Sequence, residues 1–427
     1  MKNHFPLLDP LRFAAALGVA VFHQMFWSWA WSSIGVPPAF EHYVAADVLF
    51  PSAAPFTWFG WVGVEIFFVI SGFVIANSAS ESSPAEFLLG RALRLYPAVW
   101  VCATATFIVL LLFAGGSASK FVGPYMRAML LIPKGINGQW LDCVYWTLAA
   151  EMAFYGLVFC AMLTKKITLR HLAWGLTIYS AVFNAVALLV LSLTTPSDIP
   201  YLVILMFRVP CAAFLLCHGC FFALGIWLYI SAKRELTAGE RIAVAVACLS
   251  GAAEIYFFAS FFLTSIPAIS GQSPFVPIIV WAAAVFLIAV AANRSRRLLL
   301  VSFNSEGRER AMPHNGGERR THYLRTLGLI TYPLYLTHNV IGAAIIRVLI
   351  DAGLDASLAV WFALGMLVLA CWFICAKIEP PVRRALTRTI SHFGSLPKTQ
   401  PLSSFPSLSP GARLPLPVRA KVSFTAR

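Results

Sequence analysis

Apolar residues in this chain come in long, nearly unbroken runs, separated by short polar or Gly/Pro-containing breaks. The runs show neither the alternation of a half-buried strand nor the narrow apolar stripe of a helix lying on a soluble core. A hydrocarbon core takes about 20 mainly apolar residues per helix. On that scale the chain divides into about ten spans, at 11–31, 58–78, 97–114, 142–163, 172–194, 202–230, 242–263, 275–292, 328–350 and 357–376. The pattern predicts an all-α integral membrane bundle. Residues 1–380 form one transmembrane domain, and 381–427 a cytosolic tail rich in Pro, Ser and Leu that reads as disordered. Residues 293–326 carry no apolar periodicity and read as a polar cytosolic loop.

Composition agrees with the pattern. The chain is 59% hydrophobic and 12% charged, with a mean hydropathy of +0.77, whereas soluble domains are about 45–50% apolar and about 25% charged. A net charge of +14 would suit nucleic acid, but the basic residues punctuate the ends of spans instead of interleaving with aromatics. With the N-terminus in the cytosol, 27 of the 32 Lys and Arg fall in inside segments. Lys120, Arg127 and Lys134 fall outside, and Arg208 and Arg347 within spans. This is the positive-inside asymmetry of a multi-pass inner-membrane protein with both ends cytosolic. The first apolar run lacks a cleavage site and reads as a retained helix. Cys217-His218-Gly219-Cys220 has metal-like spacing, but no second pair accompanies it, so it reads as packing and no metal is expected.

Ionisable residues inside a span are costly, and each marks a candidate site. His23 lies eleven residues beyond Arg12, roughly 16 Å along the first helix. Glu65 on the second helix runs the other way and reaches a similar depth. A carboxylate there would fix the imidazole's tautomer and raise its basicity, as a general base requires. Glu151, Arg208, Glu254 and His338 also fall within spans. For Glu254 the structural reading is the stronger. On the cytosolic side Arg91 and Arg94 share one helix face and offer a bidentate clamp for phosphate. Asp9 and Arg12, at the inner end of the first helix, are further pocket candidates.

These residues fall into a known order. Leu8-Asp9-Pro10-Leu11-Arg12 with Phe22-His23, Gly63-Val64-Glu65-Ile66-Phe67-Phe68, and Arg91-Ala92-Leu93-Arg94 resemble the opening motifs of the acyltransferase-3 family of integral membrane acyltransferases. Trp146-Thr147-Leu148-Ala149-Ala150-Glu151 with Phe154-Tyr155, Tyr332-Pro333-Leu334-Tyr335-Leu336-Thr337-His338, and Ile378-Glu379-Pro380 are similar to its later ones. The resemblance spans residues 8–380. It departs at Pro10, where the family usually has Gly, and at Glu151, which stands alone where many members carry two adjacent acidic residues. The resemblance implies transfer of an acyl group, with acetyl the expected one, from acyl-CoA, a co-substrate and not a resident cofactor. The acceptor it implies is a carbohydrate hydroxyl of a surface or lipid-linked glycan. The first-helix His is held to be essential in the family, and the R-x-x-R segment is associated with the donor; these roles fall on His23, Arg91 and Arg94. His23, oriented by Glu65 or Glu151, would deprotonate the hydroxyl or carry the acyl group itself. The alternative is a transporter or flippase for a polar lipid or small anion, using the same buried charges as a pathway.

Overall fold

The computed structural model describes residues 8–393 apart from 35–38, 116–117, 135–137, 165, 194, 196–214 and 305–315, and among the described residues it is helical without strands. Helix α1 (Leu8–Phe22) continues through a π-helical turn (His23–Trp27) to Ala30. Then follow α2 (Gly63–Ser80), α3 (Pro84–Phe113), the amphipathic α4 (Ser119–Leu130), α5 (Trp146–Thr164) and α6 (Leu169–Leu193). The second half holds α7 (Gly219–Lys233), α8 (Ala238–Ser265), α9 (Phe275–Asn304), α10 (Gly316–Thr337), α11 (Val340–Asp351), α12 (Ala356–Phe373) and α13 (Glu379–Phe393).

Among the described residues, eight helical segments are long and apolar enough to cross a bilayer, and α10 with α11 makes a ninth that is bent by 75°. The shorter apolar α7 is the described part of the predicted sixth span. Arg208, placed in that span from the sequence, lies outside the described residues, as does 394–427 of the tail. Two expectations change. Residues 293–326 are not all loop: α9 runs on to Asn304 and α10 begins at Gly316. The Arg/Leu stretch after the span keeps good helix formers, and nothing breaks the helix before Asn304. The tail begins as helix through Phe393.

Local sequence explains the starts of several helices. Ser83 and Glu86 form a capping box under α3, which runs through Pro97 as one helix and so sets Arg91 and Arg94 inside it. Thr237 and Glu240 cap α8 in the same way. Buried Glu240 also accepts from both Nη atoms of Arg234, at 2.6 and 2.7 Å, and pairs with Arg170 Nε at 2.9 Å. Two segments assigned to the cytosolic side from their basic residues are thereby tied together at one rim.

α2 and α7 are apolar all round and buried on nearly every face, and each is the other's main neighbour at the bundle centre. Without a hydrophobic force between helices in lipid, close backbone approach through small residues drives packing. Here a methyl on Gly72 would run into Phe222 O and one on Gly225 into Val69 O. The outer helices turn Phe286, Trp361, Phe362 and Leu369 outward, as lipid-facing positions require.

This packing predicts that Gly225→Ala destabilises the bundle by about 1–3 kcal/mol, the cost of overpacking a tight contact. Gly365, whose added methyl would meet open space, serves as the control. Equal yields of monodisperse protein in detergent for Gly225→Ala and Gly365→Ala would contradict the close-packing account.

Candidate functional site

The bend between α10 and α11 leaves backbone groups at Thr337–Asn339 outside the helical ladder, and in lipid such groups must be satisfied by protein. Gln24, in the π-helical turn of α1, donates its amide to His338 O and to Asn339 O, the latter at 3.1 Å. Asp142, fully buried just before α5, accepts from Val340 N at 3.1 Å and from Asn339 Nδ2 at 2.8 Å. The break is therefore stitched from both sides, and π-turns such as this one recur at functional sites.

His338 sits at the bend, completely buried, and His23 opens the π-turn, half-buried. Their proton positions follow from the hydrogen-bond network. Carbonyl oxygens only accept, so His338 Nδ1, 2.8 Å from Tyr335 O, carries its proton there. His338 Nε2 is then bare and accepts from His23 Nδ1 at 3.1 Å. The same His23 N–H also donates to Val19 O at 2.9 Å. His23 Nε2 is left with a lone pair, the state of a base or a nucleophile.

Neither predicted carboxylate orients His23. Glu65 instead lies 3.7 Å from His218 Nδ1. Glu151 accepts from Ser71 Oγ at 2.9 Å and from the Tyr155 hydroxyl. A period argument can place two residues at one depth but cannot choose the helix face, and here the face belongs to His338. Gln24, Asp142 and Asn339 were missed as site residues. Their polarity within or beside apolar runs was the available signal.

Toward the cytosol a cavity of about 110 Å³ is lined by Arg12, Arg91, Arg94, Glu151 and Tyr155, with Phe67 and Tyr335 at its deep end. Arg91 Nη2 donates to Ser78 Oγ at 3.3 Å, and its guanidinium lies over the Phe87 and Tyr155 rings. Its Nε is buried without a hydrogen-bond partner. Asp9 pairs with Arg12 at 3.7 Å, so three guanidiniums face two carboxylates and the cavity keeps an excess of positive charge. The cavity stops short of His23. The Tyr335 ring packs edge-on to Phe67 at 5.7 Å and lies 5.5 Å from the His338 ring, so one aromatic layer stands between the cavity and the histidine pair.

On the outer side of the histidine pair, ligand-type atoms of Glu41, Asp142 and Cys143 lie within 4.8 Å of one another. Both carboxylate oxygens of buried Glu41 lack hydrogen-bond geometry to a partner. Burial, and then the charge of Glu41, push the Asp142 carboxyl up to about 7, and burial raises Glu41 as well. His42 accepts from Ala39 N at 2.9 Å, stacks on Trp31, and is held down to about 4, first by burial. A second such group, Cys217, His218 and Glu254, lies between α2, α7 and α8.

The family model described as "Acyltransferase domain" matches residues 6–377. Nodulation protein 10 of Rhizobium leguminosarum bv. viciae is 36% identical over 174 residues, an alignment covering 36% of this chain and 42% of that protein. The chain thus spans under half the length of this curated relative. No solved structure matches.

The outer cluster has a pH signature. A carboxyl held at about 7 in the folded chain, against an ordinary 3.8, keeps a proton that the unfolded chain releases. Its contribution is complete below about pH 4 and is lost as pH rises through about 7. Thermal unfolding in detergent should therefore shift downward between pH 5 and pH 8, and Asp142→Asn should flatten that fall. An identical slope in the variant would mean that the cluster does not titrate in this window.

Proposed function

Because the chain belongs to the acyltransferase-3 family, we propose that it moves an acyl group, acetyl as the expected case, from acyl-CoA to a carbohydrate hydroxyl on a surface or lipid-linked glycan at the bacterial inner membrane. The observation that carries this reading is the ordered histidine pair, which leaves His23 Nε2 free to act as a base. The acceptor class rests on the resemblance to glycan acetylases.

In this reading the donor's phosphates dock against Arg91 and Arg94 with Arg12 nearby, where an unpartnered Arg91 Nε and an excess of positive charge favour an anion. The cavity is far smaller than a nucleotide, so the bulk of the donor stays on the cytosolic side and only its thioester arm enters. Arg12 and His23 are eleven residues apart on one helix, roughly 16 Å. A pantetheine arm is of that order, provided Tyr335 and Phe67 move aside. His23 Nε2 then takes the acceptor's hydroxyl proton while its oxygen attacks the thioester carbonyl. The C–S bond breaks, and the proton passes to the leaving thiolate. His338 holds the ring of His23 and steadies the imidazolium formed in that step by turning its bare Nε2 toward the N–H. It is a positioning residue. Glu151, held by Ser71 and Tyr155, keeps the wall of the donor cavity in register.

Membranes carrying His23→Ala should insert normally and lose transfer of labelled acetyl from acetyl-CoA by about 10²-fold or more, the usual worth of a general base. His338→Ala should lower turnover with little change in the Michaelis constant for the donor, and should shift the pH–rate profile, which a purely structural role would not do. Wild-type turnover in His23→Ala would reject the proposal. A labelled acyl-enzyme trapped in the absence of acceptor would replace direct transfer by a covalent route. The Arg91→Lys, Arg94→Lys double variant keeps the inside charge but loses the planar fork. Its Michaelis constant for acetyl-CoA should rise about tenfold, the effect of losing one charge-assisted bond. An unchanged value would make these arginines topology anchors.

A further inference from the structure

The network around His218 plays no part in the acyl-transfer reading, and ligand-type atoms of Cys217, His218 and Glu254 there are buried within 4.8 Å of one another. Cys217 and His218 lead into α7, Glu254 comes from α8 and Glu65 from α2, and all four are at most 3% exposed. His218 Nδ1 is 2.5 Å from Glu254 Oε1 and 3.7 Å from Glu65 Oε2. All three atoms are buried without a partner in hydrogen-bond geometry. The other oxygen of Glu254 is held by Asn184 Nδ2 at 3.5 Å and Cys220 Sγ at 3.8 Å, which turns Oε1 toward His218. Asn184 also donates to Cys217 O at 3.2 Å.

We propose that Cys217, His218 and Glu254, with Glu65 in the fourth direction, form a zinc site that ties α2, α7 and α8 together. Buried polar atoms are nearly always paired, and here three orphans converge while a thiol stands within 4.8 Å of two of them. Two lone-pair atoms at 2.5 Å must share either a proton or a cation. The donors are one sulfur, one nitrogen and oxygens from two carboxyls, a set that suits zinc and not magnesium or calcium. Thiolate, neutral imidazole and the Glu254 carboxylate cancel a divalent charge, as a low-dielectric interior favours. Ligands on a tetrahedral zinc at about 2.0–2.1 Å lie about 3.3 Å apart, so binding opens the His218–Glu254 pair by less than an ångström. Asn184 supplies the outer hydrogen bond that orients a ligating carboxylate. With four protein ligands the site is closed and structural, distinct from the histidine pair of the transfer reaction. The Cys-His-Gly-Cys segment has no second pair along the chain; the missing ligands come from other helices.

The test uses the full chain, purified in detergent through a tag that does not bind metal, from zinc-supplemented cells. Mass-spectrometric metal analysis should find about one zinc per chain, falling several-fold in Glu254→Gln and in His218→Ala. Cobalt-loaded wild type should show tetrahedral d–d bands and a sulfur-to-cobalt charge-transfer band, and Cys217→Ser should lose the charge-transfer band. A monodisperse wild type holding less than about a tenth of an equivalent, and unchanged in thermal stability by added zinc, would overturn the site and leave a proton shared between His218 and Glu254.

Discussion

A broken helix inside a membrane has to find partners for its freed backbone groups, and in this protein that requirement organises the whole reactive region. The 75° bend between α10 and α11 would be untenable against lipid if the carbonyls of His338 and Asn339 and the amide of Val340 were left open. Gln24 and Asp142 close them. In doing so they dock α1 and the start of α5 onto the bend, and His23 is carried against His338 as a consequence. The stitching that makes the fold possible and the pairing that leaves a lone pair on His23 Nε2 are one arrangement.

From that centre the molecule is polar in two directions. Below it, the guanidiniums of Arg12, Arg91 and Arg94 line a small cavity open toward the basic rim, where an anion is welcome. Above it, burial raises the carboxyls of Glu41 and Asp142, so that they keep protons, and lowers His42, so that its imidazole stays neutral. Between the arginine cavity and the histidines stands the Phe67–Tyr335 layer. Such a layer closes the span to water and protons, which an open channel through the bundle would pass. The transporter alternative draws no support from the one broken span among the described residues, since its backbone groups are tied up by side chains instead of being open to a cargo.

Apolar run length and the distribution of Lys and Arg made the membrane bundle and the inner rim legible in the chain itself, since bilayer thickness and the positive-inside bias act on each segment separately. The capping pairs Ser83–Glu86 and Thr237–Glu240 fixed helix starts for the same local reason. The ordered motifs from Leu8 to Pro380 identified the family, which the match over residues 6–377 bears out. They also brought His23, His338 and the arginine pair forward by name. Partner choice was not legible. Glu65 and His23 do lie on neighbouring helices, yet a rotation of either helix about its axis changes which side chain is met, and an apolar span carries no moment to set that rotation. Gly72 and Gly225 set it through backbone contact, and only in the packed bundle does Glu65 turn to His218 while His23 turns to His338. The sequence by itself determined the solvent, the topology and the chemistry available, because those are properties of single segments. Tertiary structure alone decided which acid met which base, because that is a property of how helices are turned against each other.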